Sequence, residues 1–123
     1  MIILDTSIWI EYLKRNNDYL KVIDNLLLEK QVLAFDFIFG ELFQGARENE
    51  IIKLTGLWDI LPKINLDNVG FYAGKLSFEN KFNNLGIGLI DCAIIYATIK
   101  TESKLWTLDK KILHNLDNGF IFK

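Results

Sequence analysis

The chain opens with Met1-Ile2-Ile3-Leu4-Asp5-Thr6-Ser7, an apolar run that stops at a carboxylate. Consecutive apolar residues of this length are typical of a short strand buried on both faces, as in a parallel sheet. The polar residues that close the run are ones that cap helix N-termini, and the apolar pairs Trp9-Ile10 and Tyr12-Leu13 follow with helical spacing. This stretch therefore predicts a buried strand over residues 2–4 that leads directly into a helix, with an acidic residue at the junction.

The rest of the chain continues this alternation of strand and helix. Helices are predicted over residues 19–28, 37–47, 51–58, 68–82, 91–100 and 110–116. Strands are predicted over 32–35 and 105–107, an edge strand with a proline over 60–64, and a last strand over 120–122. Such alternation predicts an α/β/α sandwich, in which helices cover both faces of a central parallel sheet.

Length and composition predict one domain over residues 1–123. Half of the residues are apolar, which suffices for a core, and one proline with eight dispersed glycines leaves no candidate linker. The N-terminal apolar run is too short for a signal peptide or a membrane span, so we expect a soluble, cytoplasmic protein without a membrane partner. The single cysteine, Cys92, is expected to be a small buried hydrophobe.

Four carboxylates stand where packing alone explains them poorly, because each lies next to apolar sequence: Asp5, Glu41, Asp91 and Asp109. A carboxylate held against apolar surface must be hydrogen-bonded, paired or bound to a cation. Taken singly, Asp5 and Asp109 could cap helices, Asp91 could complement a helix dipole and Glu41 could lie at a helix edge. Capping explains Asp5 poorly, since Thr6 and Ser7 already offer caps, and we therefore favour a divalent metal site.

The net charge of −2 argues only mildly against a nucleic-acid binder. If four of the sixteen acidic residues form a metal site, the remaining twelve face fourteen Lys and Arg residues. Arg47, Lys110 and Lys111 lie close in sequence to two of the four carboxylates, and we predict them as phosphate contacts against the alternative of a solvated helix face.

Four blocks of the sequence carry a resemblance to a known family. They are Ile3-Leu4-Asp5-Thr6-Ser7-Ile8-Trp9-Ile10, Gly40-Glu41-Leu42-Phe43-Gln44-Gly45-Ala46-Arg47, Leu89-Ile90-Asp91-Cys92-Ala93-Ile94-Ile95-Tyr96-Ala97-Thr98 and Leu105-Trp106-Thr107-Leu108-Asp109. In this order they resemble the successive blocks of PIN-domain ribonucleases. In length and spacing the chain is most similar to the VapC toxins of prokaryotic toxin–antitoxin pairs.

The resemblance implies a PIN-like fold and a metal-dependent endoribonuclease. Asp5, Glu41, Asp91 and Asp109 would be its acidic quartet, holding Mg²⁺ or Mn²⁺, with Thr6 and Thr107 as supporting residues. The implied partners are an RNA substrate, a cognate antitoxin protein and a second copy of the chain in a homodimer. Members of the family often carry another acid and an aromatic after the last aspartate, whereas Lys110-Lys111-Ile112-Leu113 follows here, so no fifth acidic ligand is predicted.

Other functions stay open at this point. A phosphatase of the aspartyl-phosphate type also has a strand that ends in Asp, but its chemistry needs a second Asp two residues later, where Ser7 stands. The chain could instead be a stand-alone PIN-type RNA-processing nuclease. It could also be a binding module that acts mainly through a repressor complex with an antitoxin.

Overall fold

A computed structural model describes residues 1–123 and is built around a small parallel sheet. Strands β1 (Ile2–Leu4), β2 (Val32–Leu33) and β3 (Lys104–Trp106) lie in the order β2-β1-β3. Single bridges from Ala34 to Lys63 and from Leu105 to Ile121 extend both edges of the sheet. All of these pairings are parallel, as the sequence predicts.

Seven α-helices and three short 3₁₀ helices connect the strands. The α-helices are α1 (Thr6–Leu13), α2 (Asn17–Leu28), α3 (Asp36–Gln44), α4 (Ile51–Ile60), α5 (Val69–Asn80), α6 (Leu89–Lys100) and α7 (Lys110–Asn115). The 3₁₀ helices are Glu48–Glu50, Phe82–Leu85 and Asn118–Phe120. No helix is both long enough and apolar enough to cross a bilayer.

The strand order creates a crevice beside β1. The chain leaves β1 towards β2 through α1 and α2, and then passes from β2 back beyond β1 to β3 through α3 to α6. Because crossovers between parallel strands are right-handed, the two connections lie on opposite faces of the sheet. The strand order therefore reverses between β1 and β3, and ligands of open α/β sheets bind at such a point, beyond the C-terminal ends of the strands.

The core is formed by the sheet and the helices that pack on it. The three residues of β1 are buried, and α6 is the most deeply buried helix, with Cys92 to Ala97 contributing its apolar surface. Thr98 satisfies its buried hydroxyl by donating to the Ile94 carbonyl oxygen at 2.8 Å. Cys92 is a buried free thiol, as predicted.

The predicted bounds of α2, α4, α6, α7, β2 and β3 differ from the structure by one or two residues. Four other predicted elements differ as follows. The helix predicted to reach Arg47 ends at Gln44, with Gly45 as its C-cap, and the helix predicted over 68–82 ends at Asn80 because Lys81 is left-handed (φ 57°). The strand predicted over 120–122 is a single bridge at Ile121 that follows a 3₁₀ helix. The edge strand predicted over 60–64 is likewise one bridge.

Candidate active site

Asp5 lies at the end of β1 and caps α1. Its Oδ1 accepts a hydrogen bond from the Thr6 backbone N–H at 2.8 Å, and Oδ2 accepts one from Thr107 Oγ1 at 2.6 Å. Our expectation that capping explains Asp5 poorly was wrong, because Asp5 itself is the N-cap of α1. Only 6% of its surface is exposed, and these two donors satisfy the buried carboxylate oxygens.

The pairing of β1 with β3 brings Thr107 to Asp5. Leu4 pairs with Trp106, and the Asp5 N–H donates to the Trp106 carbonyl oxygen at 2.9 Å, so the next residue along β3 stands beside the carboxylate. Thr107 Oγ1 in turn accepts from the Asp109 N–H at 3.0 Å. One hydroxyl therefore connects the two aspartates at the crevice.

Asp109 caps the last α-helix. Its Oδ1 accepts from the N–H groups of Lys111 at 2.8 Å and Ile112 at 3.3 Å. The capping interpretation of Asp109 is thus correct. It does not exclude a second role, because these two bonds use only one carboxylate oxygen.

Ser7 also lies at the site, although the sequence predicted it only as a candidate helix cap. Its Oγ accepts from the Leu108 N–H at 3.2 Å and lies 3.5 Å from Asp5 Oδ2. It thereby fastens the start of α1 to the loop that follows β3. Its position two residues after Asp5 was the available signal, but the contact with Leu108 depends on strand order.

Glu41 comes from α3, where its neighbours Ile38 and Leu42 are buried. Its Oε1 accepts a 2.8 Å hydrogen bond from Thr6 Oγ1, the hydroxyl that follows Asp5 in sequence. Glu41 is exposed, so this carboxylate is in contact with solvent. Thr6 supports Glu41, and Thr107 supports Asp5.

Asp91 lies in the first turn of α6 and experiences the other three carboxylates. Burial raises the pKa of Asp91 to about 6, and the charges of Asp109, Asp5 and Glu41 raise it as well. Lys111 opposes this shift. Burial likewise raises the pKa of Asp5, against the hydrogen bonds from Thr107 and Thr6, and the charges of Glu41 and Asp109 add to the rise. The four predicted residues therefore form one cluster of excess negative charge.

The donor chemistry of this cluster fits a hard divalent cation. It offers only carboxylate oxygens near the crevice, which Mg²⁺ and Mn²⁺ prefer, and no His or Cys that would favour zinc. As the side chains stand, no three acidic, His or Cys side chains are arranged as ligands of one ion. Mg²⁺ usually keeps several waters and takes only one or two carboxylates directly, so three convergent ligands are not required.

The three cations predicted as phosphate contacts occupy different places around the carboxylate cluster. Lys111 donates from Nζ to the Gly86 carbonyl oxygen at 3.3 Å and acts on Asp91. Lys110 is exposed at the first position of α7, and its charge is not among those that shift the pKa of Asp91. Arg47 lines a cavity that borders Glu41. Among the three predicted phosphate contacts, only Lys111 acts on the pKa of Asp91, and the phosphate role of all three stays a prediction.

Comparison with solved structures identifies the same fold elsewhere. The chain superposes with a TM-score of 0.70 on a chain from the crystal structure of VapBC2 from Rickettsia felis bound to a DNA fragment from their promoter. The two are 24% identical, and the match covers 100% of this chain and 98% of the other. The predicted α/β/α sandwich of PIN-like type with a central parallel sheet is confirmed. No family model matches the sequence, and no curated protein matches it.

Proposed function

We propose that the protein is a metal-dependent endoribonuclease and the toxin of a toxin–antitoxin pair. The observation that carries the nuclease proposal is the grouping of four carboxylates at the switch point of the sheet, where burial and the charges of Asp109, Asp5 and Glu41 raise the pKa of Asp91. Asp5, Glu41, Asp91 and Asp109 would hold Mg²⁺ or Mn²⁺. A divalent ion there supplies activation of water for attack at phosphorus and stabilisation of the departing oxygen.

The chain's own residues keep the cluster ordered. Thr107 orients Asp5 and favours its ionised form, because it donates to the carboxylate at 2.6 Å. Thr6 fixes Glu41 through a 2.8 Å hydrogen bond, which ties α3 to the start of α1. Lys111 offsets part of the negative charge at Asp91, and a cation in that place is suited to attract a phosphodiester.

RNA cleavage by the purified chain tests the nuclease proposal. We expect cleavage of single-stranded RNA in Mg²⁺ or Mn²⁺, none in chelator, and none in Ca²⁺, whose larger and looser coordination does not hold reacting oxygens in line. Asp5→Asn and Asp91→Asn should each lower the rate at least about a hundredfold, as loss of a main electrostatic stabiliser does. Asp59 is an exposed acid of α4, and Asp59→Asn is the matched control. Cleavage that survives exhaustive chelation would refute the metal mechanism.

The toxin role is supported by the resemblance to VapC toxins together with the fold shared with a chain of VapBC2. An antitoxin and a homodimer are parts of this proposal. Induced expression of the chain alone should arrest growth, and co-expression of a cognate antitoxin should restore growth and yield a complex on native purification. A harmless chain that still cleaves RNA would be a stand-alone RNA-processing nuclease. A chain that binds an antitoxin but cleaves nothing would be a binding module.

A further inference from the structure

A cavity of about 330 Å³ opens beside the carboxylate cluster. It lies between α1, the C-terminal end of α3 and the 3₁₀ helix Glu48–Glu50. Thr6 and Glu41, which are joined by a 2.8 Å hydrogen bond, form the wall on the side of the cluster. Whatever occupies this cavity is therefore a direct neighbour of a group bound at the carboxylates.

The cavity combines an apolar wall with two cations. Ile10 and Leu13 of α1 and Leu42 of α3 are among its lining residues, and so are Lys14 and Arg47. Both cations are exposed. Ligand sites of about 300–1,000 Å³ commonly pair apolar walls with a few polar groups in this manner.

Arg47 is the N-cap residue of the 3₁₀ helix Glu48–Glu50. The Arg47 N–H, not its side chain, donates to Glu50 Oε1 at 2.9 Å. This bond also engages one of the two acids that line the cavity, and Thr6 engages the other, Glu41. The lining thus combines an apolar wall with two cations and two hydrogen-bonded carboxylates, which suits a ligand that has both an apolar part and a charged group.

The geometry points to a nucleotide subsite of single-stranded RNA, in which the cavity takes one base and Lys14 with Arg47 takes its phosphate. A nucleobase offers flat apolar faces, and proteins bind unpaired bases by packing on such faces, including against Arg guanidinium planes. Bases paired in a duplex are not free to enter a cavity, so this site selects single strands. The inference rests on the proposed function for the identity of the ligand and adds which part of the RNA is held.

Gly45 offers a way to fill the cavity without disturbing the fold. It lines the cavity with φ at −98°, which any residue adopts, and an added Cβ would meet only the Glu41 carbonyl oxygen at 3.8 Å. Gly45→Leu is therefore the blocking variant. Gly56→Leu is its control, because Gly56 is exposed on α4, an added Cβ there meets nothing within 4 Å and the residue does not line the cavity.

The cations provide a second, independent variant. Lys14→Gln with Arg47→Gln removes both charges, and Arg15→Gln is the control because Arg15 follows Lys14, is exposed and does not line the cavity. The affinity for a fluorescent single-stranded octanucleotide is measured by anisotropy in Ca²⁺, at several salt concentrations. Circular dichroism and melting temperature check that each variant is folded.

We expect Gly45→Leu to weaken binding about tenfold, comparable to losing one stacked base. The double variant should lower the slope of log affinity against log salt by about 0.7, since Lys14 and Arg47 share one phosphate and each neutralised phosphate of a single strand contributes about 0.7. Both controls should match wild type, and the same sequence as a duplex should bind more weakly. A folded Gly45→Leu protein with unchanged affinity, an unchanged salt slope in the double variant, or a wild type that does not bind RNA would overturn the inference.

The outcomes separate this inference from the proposed nuclease function. Cavity-dependent RNA binding without cleavage in Mn²⁺ would support the subsite and refute the nuclease. RNA cleavage together with RNA binding that none of the variants alters would support the nuclease and refute the subsite. If Gly45→Leu leaves RNA binding intact but prevents association with a co-expressed protein partner, the cavity is a protein-docking groove and the inference is wrong.

Discussion

Thr107 Oγ1 donates a 2.6 Å hydrogen bond to Asp5 Oδ2 across 102 residues of sequence. Both residues are buried, and the same hydroxyl accepts from the Asp109 N–H at 3.0 Å. This one side chain therefore joins the ends of two adjacent strands and two of the four carboxylates.

Removing that hydroxyl should destabilise the fold. Thr107→Val keeps the shape but removes the 2.6 Å donor to Oδ2 of a buried carboxylate, and hydrogen bonds to charged groups contribute about 1.5–3 kcal/mol. We expect urea unfolding at pH 7 to show a loss in that range for Thr107→Val and only a small loss for Thr107→Ser, which keeps the donor. Equal losses in the two variants would mean that the methyl group matters and the hydrogen bond does not.

The raised pKa of Asp91 predicts how stability depends on pH in metal-free solution. Its pKa rises from 3.8 to about 6 in the folded state, so between these values the native protein binds more protons than the unfolded chain. Stability should consequently fall as pH rises from about 4 to about 6, and the loss should be complete above that window. Asp5, whose pKa is also raised, acts in the same direction.

Asp91→Asn isolates this contribution. In chelator, the free energy of unfolding of the variant minus that of wild type should be roughly 1 kcal/mol larger at pH 7 than at pH 4. This value is smaller than full linkage gives, because solvent screens a half-buried carboxylate. Urea midpoints at the two pH values, with Asp59→Asn as control, measure the difference. A stability difference that does not change with pH would contradict the electrostatic account of the cluster.

Asp109 combines a cap with a charge, and two substitutions separate these properties. Asn caps helices as well as Asp does, whereas Ala in place of a cap costs about 1 kcal/mol. In chelator, Asp109→Asn should match or exceed wild type, because it relieves repulsion within the cluster, and Asp109→Ala should be about 1 kcal/mol less stable than Asp109→Asn. If both substitutions destabilise the protein equally, an Asn side chain does not replace the hydrogen bonds that Asp109 accepts from the N–H groups of Lys111 and Ile112, and the separation of cap from charge fails.

Metal binding should appear as stabilisation of the native state. Mn²⁺ at a hundred times its dissociation constant would add about 2.7 kcal/mol to the stability of wild type. We expect the Mn²⁺-dependent rise in melting temperature to be largely lost in Asp91→Asn and Asp109→Asn and retained in Asp59→Asn. Retention of the full rise in the two cluster variants would mean that Mn²⁺ binds elsewhere.

Much of the fold could be predicted from the periodicity of apolar residues and from the capping and turn residues between them. Strand β1 matches its predicted bounds, and the prediction of a parallel sheet follows from the alternation of elements. The last strand failed because Asp117 Oδ1 accepts from the Gly119 N–H at 2.8 Å, which winds residues 118–120 into a 3₁₀ turn. A local hydrogen bond from side chain to backbone competed with strand formation there, and the apolar pattern of the sequence does not predict that bond.

The four carboxylates of the site could be chosen from the sequence, but their contacts could not. Glu41 meets Thr6 and Asp5 meets Thr107 only because of strand order and helix placement. The hydrogen bond from Lys111 to the Gly86 carbonyl oxygen likewise depends on a left-handed residue in a loop 25 positions away. Assignment of these residues to catalysis and metal binding stays a prediction.

The placement of β3 next to β1 also determines when the cluster comes into being. Ribosomes deliver a chain from its N-terminus at about 5–20 residues per second. Thr107 lies 102 residues after Asp5 and is therefore synthesised about 5–20 seconds later, and Asp109 follows Thr107. A nascent chain shorter than this has neither the hydroxyl that holds Asp5 nor the fourth carboxylate. The fold thus delays assembly of the site until Thr107 and Asp109 have been synthesised, and the ribosome that makes the chain is not exposed to the completed site before then.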